Sequence, residues 1–297
     1  MTAVGLIGVG RMGHGIARNI CLSDDYQLQF LTHRGNQPVD DIMAAGGRAV
    51  DSLSELGQRC RIFALCVTGA PEVEQLICGR DGLIHHAEQG SIFIDLSTGL
   101  PERTRMMADR LHQAGFRFAD AAMTRTPKEA EQGRLNLIVG ADDALFAEIK
   151  PFLACFSEHI THAGKAGDGQ RLKLIHNYVS LGFASILAEA GARAADAAIS
   201  PERLTEVLEQ GGGRSVALDR LAPYFEHKDD GNLQFTLANA AKDIGYYIQS
   251  CGKSAPSEAL LDQLCQAVEK MGSQASVPSL TDYLRRNRTS SQDEDVS

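Results

Sequence analysis

Near the start of the chain the segment "VGLIGVGRMGHGIARNI" sets Gly8, Gly10 and Gly13 in a G-x-G-x-x-G spacing, directly after a short apolar run and at the opening of an amphipathic stretch. Few sequence features restrict a fold as tightly. The first glycine permits a sharp strand-to-helix turn, the second lets a pyrophosphate approach the backbone, and the third lets helix and strand pack closely. The helix N-terminus then offers its unpaired amides to the anion. Taken alone, the spacing fits a glycine-rich turn without a ligand equally well. Only its context makes it a dinucleotide turn.

That context is present. Apolar runs recur at "AVGLIG" from Ala3, "LQFLT" from Leu28, "IFALCV" from Ile62, "SIFIDL" from Ser91, "FRFAD" from Phe116 and "LNLIVG" from Leu135, with amphipathic stretches between them. This is the rhythm of βαβ units on a parallel sheet. It predicts an α/β, doubly wound Rossmann domain over residues 1–163. A chain of 297 residues is long for one core, and a second domain is expected to follow.

From residue 164 the pattern turns helical. In "DGQRLKLIHNYVSLGFASILAEAGARAADAAIS" one stripe holds Leu172, Ile175, Val179, Gly182 and Ile186, a second Leu174, Tyr178 and Leu181, and a third Phe183 and Leu187. A helix apolar on most of its circumference is expected to be buried on several sides, as a spine between the domains. Ser200 and Pro201 are the N-cap and first residue of the next helix. Further helices are predicted over about 233–251 and 257–271, giving an all-helical domain over 164–286. The polar tail 287–297 is expected to be disordered.

A net charge of −9 argues against nucleic acid or an anionic membrane as partner, since both need a basic footprint. No apolar run approaches the roughly 20 residues of a membrane span. The seven cysteines form no C-x-x-C pair, and the N-terminus lacks the basic region of a signal peptide. The reading is a reduced, cytoplasmic protein acting on a small molecule. The nine histidines, His85 and His86 among them, show no metal-ligand spacing, so no metal is expected.

At the adenosine end of a Rossmann site, a carboxylate closing the second strand bonds the NAD ribose, whereas arginine accommodates the 2′-phosphate of NADP. Here the strand closes with "FLTHRGN", placing His33 and Arg34 there and no carboxylate. NADP is favoured. NAD stays open, because Arg34 also reads as a solvated loop residue. On the predicted long helix, Lys173 and Asn177 are four residues apart and share a face, which Ser180 continues. A lysine on a mostly apolar helix either snorkels to water, pairs with a carboxylate or faces a cleft.

The motifs "GLIGVGRMG", "DLSTGLP", "DAAMTRTPKEAEQGRLNLIVG", "AGDGQRLKLIHN" and "AKDI", in this order, resemble those of the β-hydroxyacid dehydrogenase family. That family includes 3-hydroxyisobutyrate dehydrogenase and the semialdehyde reductases. The resemblance implies an NAD(P)-dependent enzyme interconverting a small anionic aldehyde or keto acid with its hydroxy acid. It implies cofactor contacts from Gly8, Val9, Gly10, Arg11, Met12 and Gly13, from His33 and Arg34, from Thr98, and from Lys242 of "AKDI". It also implies substrate contacts from Ser97 and Asn177, and Lys173 as the catalytic lysine.

Hydride transfer suits a lysine there, since a carbonyl oxygen gathering charge needs a proton or a cation at the same moment. Two segments depart from the pattern. Val67 and Thr68 of "CVTGAP" stand where the family has Leu-Pro at a cofactor contact. Thr124, Arg125 and Thr126 stand where it has close to Ser-Gly-Gly in the substrate loop. This loop is similar to that of the sulfolactaldehyde reductases, which makes a sulfonate a candidate beside a carboxylate. Arg125 has two readings, as a clamp on the substrate anion or as a surface residue paired with a carboxylate such as Glu129. An imine reductase, which carries another residue at the lysine position, and a silent cofactor-binding protein remain alternatives. A homo-oligomer built through the helical domain is expected from its apolar surface and from the resemblance.

Overall fold

The structure, a computed structural model, describes residues 1–286. The tail expected at 287–297 lies outside the described residues. The chain divides into two compact units, Met1–Lys173 and the unit from Leu174 on.

The first unit is an eight-stranded sheet in the order β3-β2-β1-β4-β5-β6-β7-β8. Its strands are β1 Thr2–Ile7, β2 Tyr26–Leu31, β3 Arg48–Val50, β4 Ile62–Leu65, β5 Ile92–Asp95, β6 Arg117–Thr124, β7 Leu135–Gly140 and β8 Ser157–Gly164. All neighbours pair in parallel except β6 and β7, which are antiparallel. The six expected strands are there, and two more flank them. Three-residue β3 is too short to show a pattern. In β8, "SEHITHAG", an edge strand leaves polar residues exposed and dilutes the apolar signal.

Between the strands run α1 Arg11–Cys21, α2 Asp40–Ala44, α3 Leu53–Arg59, α4 Ala70–Cys78, α5 Pro101–Gln113, α6 Pro127–Glu131 and α7 Asp143–Leu153. The strands' period of two sorts side chains into two cores. Ala64, Ile92, Ile94 and Ala119 join Ile16 and Ile20 of α1 and Ile149 and Phe152 of α7. Phe63, Leu65, Phe93 and Phe118 join Leu56, Val73, Ile77 and Leu111. Burial of both sheet faces explains why the central strands read as almost unbroken apolar runs.

Helix α8, Asp168–Asp196, begins in the first unit and continues into the second, which adds α9 Pro201–Glu209, α10 Val216–His227, α11 Leu237–Cys251 and α12 Ala255–Met271. As expected, Ser200 caps α9, its hydroxyl accepting from the Arg203 amide. The helical core joins Leu181, Ala184, Leu187 and Ala188 of α8 to Leu218, Leu221, Ile244 and Leu264. One expectation for α8 needs correction. Leu172, Ile175, Val179, Phe183 and Ile186 are exposed in the single chain, from 40% at Ile175 to 69% at Ile186. The core claims only the other side of the helix. Among the described residues, no helix is long and apolar enough to cross a membrane.

Candidate active site

The strand order reverses between β1 and β4, and open α/β sheets bind ligands at such a switch point, outside the carboxyl ends of the strands. Gly8 closes β1 in the left-handed region at φ 96°. A Cβ there would lie 2.1 Å from the Cys66 carbonyl oxygen at the end of β4. At Gly13 it would lie 1.9 Å from the Gly8 oxygen, so helix and turn touch backbone to backbone. At Gly10 it would meet nothing within 4 Å. The first and third glycines are therefore demanded by packing, and the second leaves open room over the helix end. Helix α1 has no side-chain cap at Gly10, and α4 and α5 likewise open uncapped at Gly69 and Leu100. Apart from Pro71 and Pro101, which carry no N–H, the amides of these first turns are left for another acceptor. This arrangement fits a dinucleotide.

Asn36, which sequence reasoning missed, ties the β2 loop to this turn. Its Nδ2 donates to the Leu31 oxygen at 3.0 Å and its Oδ1 accepts from the Val9 amide at 3.2 Å. The Gln37 amide donates to the Val9 oxygen at 2.8 Å. His33 and Arg34 sit in the loop so held, both exposed. Arg34 makes no ion pair among the described residues. Arg11 is exposed, and Met12 packs partly buried on the core.

Beyond β4 and β5, Val67 and Ser97 meet. The Val67 amide donates to the buried Ser97 hydroxyl at 3.2 Å, and the Ser97 amide donates to Asp95 at 2.8 Å. The Ser97 side chain thus holds two loops together. Thr98 beside it is half-buried, and Thr68 is exposed. Gln170, in the first turn of α8, clamps the same loop, accepting from the Gly99 amide at 2.9 Å and donating to the Ser97 carbonyl at 2.8 Å.

Asp120 of β6 is fully buried and accepts from the Gly167 amide at 2.6 Å and the Gln170 amide at 2.7 Å. Burial pushes its carboxyl up to about 7, and Asp95 adds to the rise against the pull of the two amides. Neither Asp120 nor Gln170 stood out in the sequence as a site residue.

Lys173 is 8% exposed and Asn177 5%. On α8, then, these polar residues are buried while the apolar stripe is exposed. In the helical unit the Asn177 Nδ2 donates to Asp243 at 2.6 Å, and its Oδ1 lies 3.0 Å from the His176 Nδ1. Lys242 is 3.4 Å from the other Asp243 oxygen. Asp243 was the unread neighbour in "AKDI".

Thr124 ends β6 opposite Asn136. Arg125 follows at φ 80°, a left-handed backbone. Its guanidinium donates to the Arg134 carbonyl and to Glu158 of β8. The Arg125 hydrogen bond holds the Glu158 carboxyl below its ordinary range. Glu129 has other work, accepting from both the amide and the hydroxyl of Thr126. Helix α6, which starts one residue on, is fixed to α1. A Cβ at Gly15 would lie 2.5 Å from the Ala130 carbonyl carbon, and the Asn19 Nδ2 donates to the Ala130 oxygen at 3.0 Å. The loop 124–126 is thereby anchored beside the cofactor helix.

Residues 3–164 match the NAD binding domain of 6-phosphogluconate dehydrogenase, and residues 167–280 match the NAD-binding domain of NADP-dependent 3-hydroxyisobutyrate dehydrogenase. The chain is 27% identical over 273 residues to 2-(hydroxymethyl)glutarate dehydrogenase of Eubacterium barkeri, covering 91% of this chain and 90% of that one. It is 27% identical over 247 residues to 2-hydroxy-3-oxopropionate reductase of Escherichia coli strain K12, covering 83% of each. The structure of 3-hydroxyisobutyrate dehydrogenase from Salmonella typhimurium superposes with a TM-score of 0.83 at 22% identity, over 95% of this chain and 100% of that one.

Proposed function

The chain belongs to the β-hydroxyacid dehydrogenase family of NAD(P)-dependent oxidoreductases, and from that premise we propose that Lys173 moves the proton as a small anionic aldehyde or keto acid is interconverted with its hydroxy acid. The observation that carries this reading is the seating of α8. Gln170 pins the first turn of that helix to the loop of Ser97 and Thr98, and Lys173 follows one turn later on the same face.

When bound, the nicotinamide supplies or accepts the hydride. Lys173 protonates the carbonyl oxygen from its Nζ in reduction and takes the proton back in oxidation. Asp243 holds one hydrogen of the Asn177 amide nitrogen, leaving the second for a substrate oxygen. Ser97 keeps these loops in register and contacts the substrate from there, and Thr98, Val67 and Thr68 contact the cofactor. Lys242 is assigned to the cofactor on the family pattern. His33 and Arg34 receive the adenosine end, and an exposed guanidinium with no ion pair among the described residues suits the 2′-phosphate of NADP.

Thr124, Arg125 and Thr126 receive the substrate anion, a carboxylate or a sulfonate. For Arg125 to clamp it, the anion must displace Glu158, and an exposed partner of this kind is easily exchanged. Lysine at position 173 counts against an imine reductase. The exposed stripe Leu172, Ile175, Val179, Phe183 and Ile186 suits a homo-oligomer that buries it. A sharply monomeric mass by light scattering at micromolar protein would remove that part of the proposal.

The deciding experiment is a screen of small aldehyde acids, carboxylates and sulfonates alike, with NADPH and NADH in parallel, on the parent and on Lys173→Ala. The substitution should lower kcat by at least about a hundredfold with cofactor affinity nearly unchanged. Surviving activity would move the proton path elsewhere.

A further inference from the structure

We infer that Asp120 is the positioning residue of the proposed proton site, its buried carboxylate fixing the first turn of α8 and so the placement of Gln170 and Lys173. The inference rests on the reading of Lys173 as the proton-moving group.

The first amides of an α-helix have no partner within the helix. In α8 two of the amides at this end are claimed by a side chain from a strand, one oxygen of Asp120 taking Gly167 and the other Gln170. A carboxylate there also faces the positive end of the helix dipole. The surroundings are cut to fit it. A Cβ at Gly140 would lie 2.5 Å from one carboxylate oxygen, and a Cβ at Gly169 would lie 2.5 Å from the other. Gly167 donates its amide from a left-handed backbone, φ 92°. Glycines from two separate segments are thus accounted for by one carboxylate.

The consequence runs outward from Gln170. With its amide fixed by Asp120, its side chain spans the Ser97 carbonyl and the Gly99 amide, and Ser97 in turn holds the Val67 amide. One buried acid thereby connects the start of α8 to both loops assigned to the cofactor. Lys173 inherits that position three residues later. A proton donor misplaced by about 1 Å loses on the order of a hundredfold in rate, so looseness in this seat registers in kcat before it registers in binding.

Asp120→Asn keeps the shape and turns one acceptor into a donor facing an amide. In the full-length protein, with NADPH and whichever of glyoxylate or 2-hydroxy-3-oxopropionate the parent reduces faster, kcat should fall about tenfold or more while the KM for NADPH stays within about twofold. Hydrogen exchange at the Gly167 and Gln170 amides should quicken. Should Asp120→Asn fail to fold, Gln170→Leu cuts the next link, and its kcat should fall likewise. An unchanged kcat, or a loss carried by the KM for NADPH, would overturn the inference. Lys173→Ala run alongside separates the two readings. Full activity in Lys173→Ala overturns both, whereas an inactive Lys173→Ala beside a fully active Asp120→Asn overturns this one alone.

Discussion

Two turns in the first unit take a left-handed backbone where a strand ends, Gly8 after β1 at φ 96° and Arg125 after β6 at φ 80°. At Gly8 packing forbids any side chain. At Arg125 a long one is present, in a conformation that costs an L-residue about 1–2 kcal/mol. Glycine at the first turn therefore reports only a backbone requirement. Arginine at the second means that its guanidinium is held in place against the local preference, here by the Arg134 carbonyl and Glu158. Strain of this kind is found where a site needs a particular group.

The largest effect is expected at the first turn. Gly8→Ala drives a methyl to 2.1 Å from a carbonyl oxygen and should cut NADPH affinity by at least about a hundredfold, with a lower melting temperature, because backbone must move. Gly10→Ala is its control, since the added methyl meets no protein atom. It should melt with the parent and lose affinity only through the pyrophosphate approach. Equal melting losses in both would mean that the glycines do not divide into packing and ligand roles.

At the second turn, Arg125→Ala should raise the KM for anionic aldehydes about tenfold, the loss of a roughly 1.4 kcal/mol term, and leave neutral aldehydes nearly unaffected. Equal losses on both kinds would remove the clamp.

The same contrast explains what the sequence could reveal. Gly8, Gly10 and Gly13 are legible because their contacts are set by strand, turn and helix adjacent in the chain. The core strands are legible because both faces are buried. Asp120 was not, since its two amide partners lie 47 and 50 residues further along, and no local pattern marks an aspartate as the cap of a distant helix. Arg125 was half legible. Its chemistry invited an anion, but the carboxylate that holds it is Glu158, 33 residues away, and the nearby Glu129 is spent on Thr126. The exposed face of α8 was misread for a related reason. Periodicity tells that a face is apolar, and it does not tell whether the chain's own core or another molecule covers it.

The smallest expected effect decides most cleanly what Arg125 is for. Arg125→Gly removes a left-handed strain of about 1–2 kcal/mol and costs about 0.4–1 kcal/mol through the freer unfolded chain. It also gives up the bond to Glu158, whose carboxylate is exposed and contributes little. These terms nearly cancel, so the melting temperature should stay within about 2–4 °C of the parent, a change of roughly 1 kcal/mol. If the guanidinium clamps the substrate, Arg125→Gly must nonetheless repeat the tenfold KM loss of Arg125→Ala, because the two share nothing but the missing side chain. A stabilised Arg125→Gly with normal KM would make the arginine a tolerated surface residue. A destabilised one would make its bonds to Glu158 and the Arg134 carbonyl a brace for the β6–α6 loop.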